Sequence, residues 1–370
     1  MFKLGIECEN LEDTKSRWGV GQITLKLLKE YAANPEWQEK FKLYLYFKKR
    51  IPDDEVLKNP IFIKRVLGMP SFNVFYHIAM PLRAMMDRLD YMFFPAYMLP
   101  PLYPGKSIVM LTNDVYYEYT EGNLPFRYRL AYRLFTNWAA MKAYKMLAIS
   151  EASKKELVKV YSIEPERIFV SHLGVDSRKN SSSQIGNWKL EIGNSTYILY
   201  VGQMFPRRHA KETILAFSKI AGDFPDLKLI MVGKDKYSPQ IIDELIKIMN
   251  EKLGGERIIH RDYIEERGEI EKLYAGAKLL VYVSSHEAFG LPPVEAAGYG
   301  VPVVVKDNDL NHELFQDAAF FVKDDNIVDA MRDGLTNEAK REYCLEKYKE
   351  IIPKLNWHNF AERFFRAVSA

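Results

Sequence analysis

The chain has 370 residues, of which 48% are hydrophobic and 27% charged, with a formal net charge of +3. That composition supports full globular cores, the length suits two domains, and the near-balanced charge argues against a dedicated nucleic-acid binder. Cys8 and Cys344 lie too far apart for a metal or disulfide pattern, and no run reaches the roughly 18 apolar residues of a membrane span.

The opening MFKLGIECEN turns acidic within seven residues. It does not read as a secretory signal, so a cytoplasmic location is expected. FKLGIECEN is an apolar run of strand length, followed by a loop with WGVG and the helical pattern ITLKLLKEYAA. Further strands are expected at FKLYLYF (41–47), SIVMLTND (107–114), YKMLAIS (144–150) and RIFVSHLG (167–174). The polar stretch DSRKNSSSQIGNW (176–188) lacks apolar periodicity and reads as a linker. Beyond it come YILYVG (197–202), LKLIMVG (227–233), ERIIHRDYI (256–264), KLLVYVS (278–284) and VPVVVKD (301–307). The tail LNWHNFAERFFRAVSA (355–370) is an amphipathic helix with no strand after it. Strands interleaved with helices predict parallel sheets covered on both faces. Two such sets predict two doubly wound domains, with ligands at the carboxyl ends of their strands.

Two segments just after strands carry chemistry. In GQMFPRRHAKETILAF, Gly202 precedes Arg207, Arg208 and Lys211 at a helix start. Cations are mildly unfavourable there for the helix itself, whereas backbone amides and guanidinium forks suit a phosphate. The plain alternative is an ordinary basic loop. In HEAFGLPPVEAAGYGVPVV, two glutamates, Glu287 and Glu295, flank a Gly-Leu-Pro-Pro turn. Gly290 permits close backbone approach, and prolines suit a first helical turn. For an isolated pair of glutamates, a charge complementing the helix dipole and a solvated loop acid would also serve.

This second segment resembles the signature of glycosyltransferase family 4, whose hallmark is two glutamates separated by seven residues. The match runs through Glu287, Phe289, Gly290, Leu291, Pro292, Glu295, Ala296, Gly300, Pro302, Val303 and Val304. Other matches follow in order: WGVGQITLKLL (18–28), TNDV (112–115), LAISEASKKEL (147–157), ERIFVSHLGVD (166–176), YVGQMFPRRH (200–209) and NWHNFAERF (356–364). The resemblance implies a retaining hexosyltransferase of the GT-B fold, two Rossmann-like parallel-sheet domains facing a central cleft. It implies an acceptor-binding domain over 1–176, a nucleotide-sugar-binding domain over 177–352 and a helix over 353–370 that crosses back to the first. By the same resemblance Glu295 holds the nucleotide ribose and Glu287 orients the donor sugar. Phe289, Gly290 and Leu291 line the donor. Gly19, Gly202, Gln203, Arg207 and Lys211 lie near its phosphates, Arg208 stabilises the leaving diphosphate, and Asn113 and Asp114 face the acceptor. No metal and no cofactor beyond the nucleotide-sugar donor are expected.

The sequence departs from the family pattern at three positions. Gln203 stands where many members have Arg, Arg208 where they have Lys, and Asn113 where they have His. Asn cannot exchange a proton near neutral pH, which leaves a catalytically weakened sugar-nucleotide-binding protein as an alternative. A GT-B phosphorylase or epimerase is a more distant one. DND (307–309) reads as a solvated turn rather than a metal triplet. The residues 80–106 are rich in Met and aromatics and suit either core or acceptor pocket. FRYRLAYRLFTNWAAMKAYK (126–145) is basic and aromatic, as a segment lying on anionic lipid would be, although a packed helix with a solvated basic face has the same composition. Residues 1–176 carry a net +5 and the remainder −2, a bias in the direction that a phosphorylated substrate or the inner face of a membrane would favour. The acceptor implied is a saccharide or a lipid-linked saccharide, in surface polysaccharide or glycolipid synthesis.

Overall fold

The computed structural model describes residues 1–13, 19–122, 124–176, 196–264, 266–324 and 326–369. The chain divides into two compact units, Met1–Gly174 with Trp357–Ala370, and Val175–Asn356. Residues 353–356 therefore belong to the second unit, and the return to the first begins at Trp357. Of the expected linker only Asp176 lies among the described residues, and Trp18 of the WGVG loop also falls outside them.

Among the described residues, the first unit is built on seven strands. These are β1 (Phe2–Glu7), β2 (Phe41–Phe47), β3 (Ile63–Val66), β4 (Tyr91–Phe94), β5 (Ser107–Met110), β6 (Lys145–Ala148) and β7 (Ile168–Val170). All pair in parallel, in the order β3-β2-β1-β4-β5-β6-β7. β1, β4, β5 and β6 are apolar nearly throughout because helices cover both faces of a parallel sheet. The helix Val20–Ala33 buries Ile23, Leu27 and Tyr31, spaced four apart on one face. The closing helix Trp357–Ser369 fills the same unit with aromatics. Phe365 packs against Trp37, Tyr31 and Phe41, and Phe364 lies edge-on to Phe93 at 4.8 Å. Lys145 Nζ donates to Ala367 O at 2.7 Å and Ser171 Oγ to Phe360 O at 2.9 Å, fixing that helix to the ends of β6 and β7.

The second unit has β8 (Thr196–Val201), β9 (Leu227–Val232), β10 (Ile258–Arg261), β11 (Leu279–Tyr282), β12 (Val303–Lys306) and β13 (Phe320–Val322) among its described residues. They too are parallel, in the order β10-β9-β8-β11-β12-β13. The order reverses between β8 and β11, the point at which the first helices on either side diverge and leave a crevice at the strand ends.

Three strands escaped the sequence reading: β3, β4 and β13. One expected strand was drawn too long. SIVMLTND pairs only through Met110, and Asn113 opens the helix Asn113–Thr120. The DND triplet is a helix start: Asn308 Oδ1 accepts from the Asn311 amide at 2.9 Å, while Asp307 Oδ1 pairs with His312 Nε2 at 2.6 Å.

Candidate active site

The crevice end of β8 runs into Gly202, and that of β11 runs into Ser284, so neighbouring strands deliver both expected motifs to the switch point. Gly202 has φ of +139°, and a Cβ there would stand 3.3 Å from the Tyr282 ring and 3.4 Å from Arg208 Nη1. The loop can lie this close to those side chains only because the residue is glycine.

Arg208 reaches back across the crevice to Glu287 in a two-pronged pair, Nε to Oε1 at 2.6 Å and Nη2 to Oε2 at 3.2 Å. Its Nη1 donates to Gln203 O at 3.2 Å. Tyr282 Oη at 2.9 Å and Ser284 Oγ at 3.1 Å both donate to Glu287 Oε1. The Arg208 guanidinium also lies over the Tyr282 ring, 5.6 Å from its centre. Burial works against the Glu287 charge, but the Arg208 charge and its hydrogen bonds outweigh burial and hold the carboxyl below its ordinary range. Burial likewise opposes the Arg208 charge, and Glu287 more than compensates. Both side chains are therefore held ionised in a largely enclosed site.

Two more links join the loops. The Ser285 amide donates to Arg207 O at 2.9 Å, and His209 Nε2 lies 2.7 Å from Ser285 Oγ. His209 has φ of +48° and caps the helix Ala210–Ile220. The Arg207 guanidinium sits over the Phe205 ring at 4.4 Å, while Gln203 and Lys211 are exposed.

The helix Leu291–Gly298 starts at Gly290, whose φ is +78°. Prolines at 292 and 293 have no N–H, so the amides at this end are those of Gly290 and Leu291, followed by Val294 within the first turn. Phe289 is buried beneath the turn. Glu295 lies one turn in and accepts a hydrogen bond from Tyr274 Oη at 3.0 Å, a tyrosine on the helix Arg267–Gly276. Each motif glutamate is thus held by a buried tyrosine whose burial keeps its hydroxyl protonated. The sequence reading missed Tyr274, Tyr282 and Ser284. For Tyr282 the signal available was a tyrosine in an otherwise aliphatic strand.

In the first unit, Asn113 is buried and its Oδ1 accepts from Ser153 Oγ at 2.9 Å. Ser150 caps the helix Glu151–Tyr161, accepting from the Ser153 amide at 2.9 Å. Asn113 therefore anchors one helix start to another. Asp114 follows it, half-buried, with Oδ1 enclosed and unpartnered. Gly19, φ +66°, precedes the helix Val20–Ala33.

Known proteins resemble the chain in sequence and in fold. Residues 184–351 match the family model described as "Glycosyl transferases group 1". The "O-antigen chain mannosyltransferase B" of Escherichia coli is 25% identical over 366 residues, 92% of this chain and 93% of that protein. Two solved structures cover all of this chain and are themselves covered in full. One is "WaaG, a glycosyltransferase involved in lipopolysaccharide biosynthesis", with a TM-score of 0.71 at 18% identity. The other is Anabaena Alr3699/HepE in complex with UDP-glucose, with a TM-score of 0.73 at 15% identity. Residues 184–351 thus carry the sequence pattern of the group 1 glycosyl transferases, and the chain has the GT-B fold.

Proposed function

We propose that the chain transfers a hexosyl group from a nucleoside diphosphate sugar to a hydroxyl of a saccharide or lipid-linked saccharide, with retention at the anomeric carbon and without a metal. The observation that carries this reading is the enclosed Arg208–Glu287 pair at the β8/β11 switch point. A departing diphosphate needs its growing charge stabilised by groups already in place. Three of the five Arg208 N–H groups are spent on Glu287 and Gln203, which leaves two for phosphate oxygens. The amides of Gly290 and Leu291 and the cations Arg207 and Lys211 add to that field. Glu295, fixed by Tyr274, accepts from the ribose diol, and Glu287 accepts from a hydroxyl of the sugar. Asn113 cannot exchange a proton near neutral pH, so proton removal from the acceptor falls to the leaving phosphate, with Asp114 as the carboxylate that follows Asn113 on its helix. The E. coli relative's name and the UDP-glucose complex of the Anabaena protein both support this assignment, the former with a surface-polysaccharide setting.

Peripheral contact with an anionic bilayer is part of the proposal. On the helix Phe126–Lys142, the core face is Thr136, Ala139 and Ala140. The opposite face carries Phe126, Leu130, Leu134 and Met141, with Phe126 78% and Met141 66% exposed. Arg127 and Arg133 border this stripe and are exposed. His77 stacks on Phe135 of the same helix at 5.3 Å. The helical run holding His77 continues through Met80–Asp87 and exposes Ile78, Leu82, Met85 and Met86, again along one face. Large apolar side chains edged by arginine match an interface of acyl chains and anionic headgroups.

The deciding experiment is calorimetric titration of UDP-glucose, UDP-N-acetylglucosamine, GDP-mannose and ADP-glucose into the wild type and Glu295→Ala. Binding of one donor, lost in the variant, supports the reading. Absence of binding by all four at millimolar concentration overturns it. Donor binding with no turnover on any saccharide acceptor leaves the non-catalytic binder in its place.

A further inference from the structure

Two arginines share one carboxylate at the edge of the first sheet. Arg65, on the outermost strand β3, meets Asp87 in a two-pronged pair, Nε to Oδ2 at 3.1 Å and Nη2 to Oδ1 at 2.8 Å. Arg83, four residues before Asp87 on the helix Met80–Asp87, does the same, with Nε to Oδ2 at 3.1 Å and Nη2 to Oδ1 at 3.2 Å. Tyr46 Oη of β2 also donates to Oδ2, at 2.9 Å. The Asp87 side chain is only 7% exposed, whereas those of Arg65 and Arg83 are 31% and 35% exposed. The carboxylate is enclosed while both arginines reach solvent.

The charges here do not balance. One carboxylate neutralises one guanidinium, and the other is left over. Lys3 adds a cation from β1, its Nζ donating to Asp87 O at 3.3 Å, and Arg88 adds one more at the exposed end of the helix. A second acid, Asp90, is exposed and accepts from the Lys3 amide at 2.7 Å. A helix C-terminus favours cations, which accounts for Arg83 and Arg88, but Arg65 and Lys3 come from strands. A tie between β3 and the helix needs one arginine, not two. Each guanidinium gives Asp87 two of its five N–H groups, which leaves three on each for another acceptor. Two forks fixed on one carboxylate suit the oxygens of a phosphate. Met86 lies three residues beyond Arg83 and so beside it on the helix surface. It is the most exposed member of the apolar stripe Ile78, Leu82, Met85 and Met86. The anion site thus lies at the margin of an apolar face, as a phosphate lies at the margin of acyl chains.

We propose that Arg65 and Arg83 together seat the phosphate of an anionic phospholipid headgroup, with Met85 and Met86 against its glycerol and upper acyl chain. The choice of a lipid as the source of the phosphate rests on the reading that this face meets a bilayer. Because both arginines are locked to Asp87, the seat fixes how the first unit is turned on the surface as well as how firmly it is held.

The test begins without a bilayer. Arginine Nε–Hε resonances of the full chain are followed by NMR as glycerol 3-phosphate replaces chloride at constant ionic strength. Those of Arg65 and Arg83 are identified by their loss in Arg65→Lys and Arg83→Lys. Both are expected to move together and to saturate. Arg257, whose guanidinium donates to the carbonyls of Ala221, Phe224 and Leu227, is expected to stay in place. The second arm is flotation with phosphatidylglycerol vesicles. The two lysine variants keep the charge but not the fork, so their melting temperatures should lie close to the wild type. Each is expected to bind the vesicles about fivefold more weakly, the equivalent of one cation at an anionic surface. Lysine variants that float as the wild type does, or arginine resonances that do not move, overturn the seat, and a wild type that still floats then leaves the bilayer reading standing. Resonances that saturate with glycerol 3-phosphate, in a wild type that floats on no anionic vesicle, overturn the lipid as the source of the phosphate and the bilayer reading with it.

Discussion

Arg208 and Glu287, 79 residues apart in the chain, meet in a two-pronged ion pair whose carboxylate is also held by Tyr282 and Ser284. The pair gives the crevice a fixed dipole rather than a free cation. Under the proposed function, a diphosphate would meet the two Arg208 N–H groups that Glu287 and Gln203 leave over, with the pair intact.

Changing either member should therefore have different consequences. Glu287→Gln keeps an acceptor for Tyr282 and releases Arg208 from its counter-charge. Donor affinity is expected to hold or improve, while kcat falls at least about tenfold, one hydrogen bond to a charged group in the transition state. Arg208→Gln leaves Glu287 enclosed without its cation. Donor binding and turnover should both fall, and unfolding stability should drop by about 2 kcal/mol, a discounted value because the pair retains some exposure. Titration calorimetry, initial rates and chemical denaturation separate these outcomes.

The same pair predicts an acid limit. Glu287 has a folded-state carboxyl below the ordinary 4.5. Its contribution to stability is present above that value and is lost as pH falls through the depressed one. The wild type should lose stability more steeply than Glu287→Gln on acidification below about pH 4.5, seen in melting temperature against pH.

Tyr274 and Glu295 divide one job. Glu295→Ala should weaken donor binding about tenfold or more without altering the fold, because a carboxylate facing a diol makes charge-assisted bonds. Tyr274→Phe keeps the carboxylate but frees its orientation, with an expected loss of about fivefold or less. Equal losses in the two variants would mean that Tyr274 itself touches the ligand.

For the exposed stripe, Leu130→Ser with Leu134→Ser should leave melting temperature nearly unchanged, since neither side chain is buried. Flotation with vesicles containing phosphatidylglycerol should drop about tenfold or more, two leucines' worth of apolar burial. Binding should also weaken in high salt and in purely zwitterionic vesicles. Wild type that stays off anionic vesicles but dimerises through this face would replace the bilayer with a second copy.

Glu7 provides a prediction with the opposite sign to Glu287. It ends β1, accepts the Glu9 amide at 2.6 Å, and burial pushes its carboxyl up to about 8. The folded state keeps a proton that the unfolded chain releases above the ordinary 4.5. Stability from this group is complete below that value and declines as pH rises towards the folded value, by up to about 1.4 kcal/mol per pH unit. Glu7→Gln should melt close to the wild type near about pH 5 and several degrees above it near about pH 8.

The sheets were legible wherever both faces of a strand are buried. FKLYLYF spans β2 from end to end, and LKLIMVG and KLLVYVS enclose β9 and β11. β3 was not legible because Ile63–Val66 is a short edge strand whose two middle residues, Lys64 and Arg65, are both basic. β4 was hidden inside a Met- and aromatic-rich stretch that read equally as core or pocket. At the site, glycine, proline and charge marked the two loops because backbone geometry and anion chemistry demand those residue types. What joins the loops was invisible. The tyrosines that hold Glu287 and Glu295 come from other elements, and a hydroxyl's partner depends on tertiary packing. Asn113 shows the same limit: its type suggested a sugar contact, and its burial commits it to Ser153.

The closing helix Trp357–Ser369 carries a consequence for biosynthesis. The second unit, Val175–Asn356, is an uninterrupted stretch and has every strand it needs once residue 356 has emerged. The first unit begins earlier and finishes later, because Phe360, Phe364 and Phe365 are part of its interior. Throughout translation of the second unit, the nascent first one has a bare aromatic seam over Trp37, Phe41 and Phe93. That interval is where a chaperone would be needed, and where a chain truncated after 356 would aggregate.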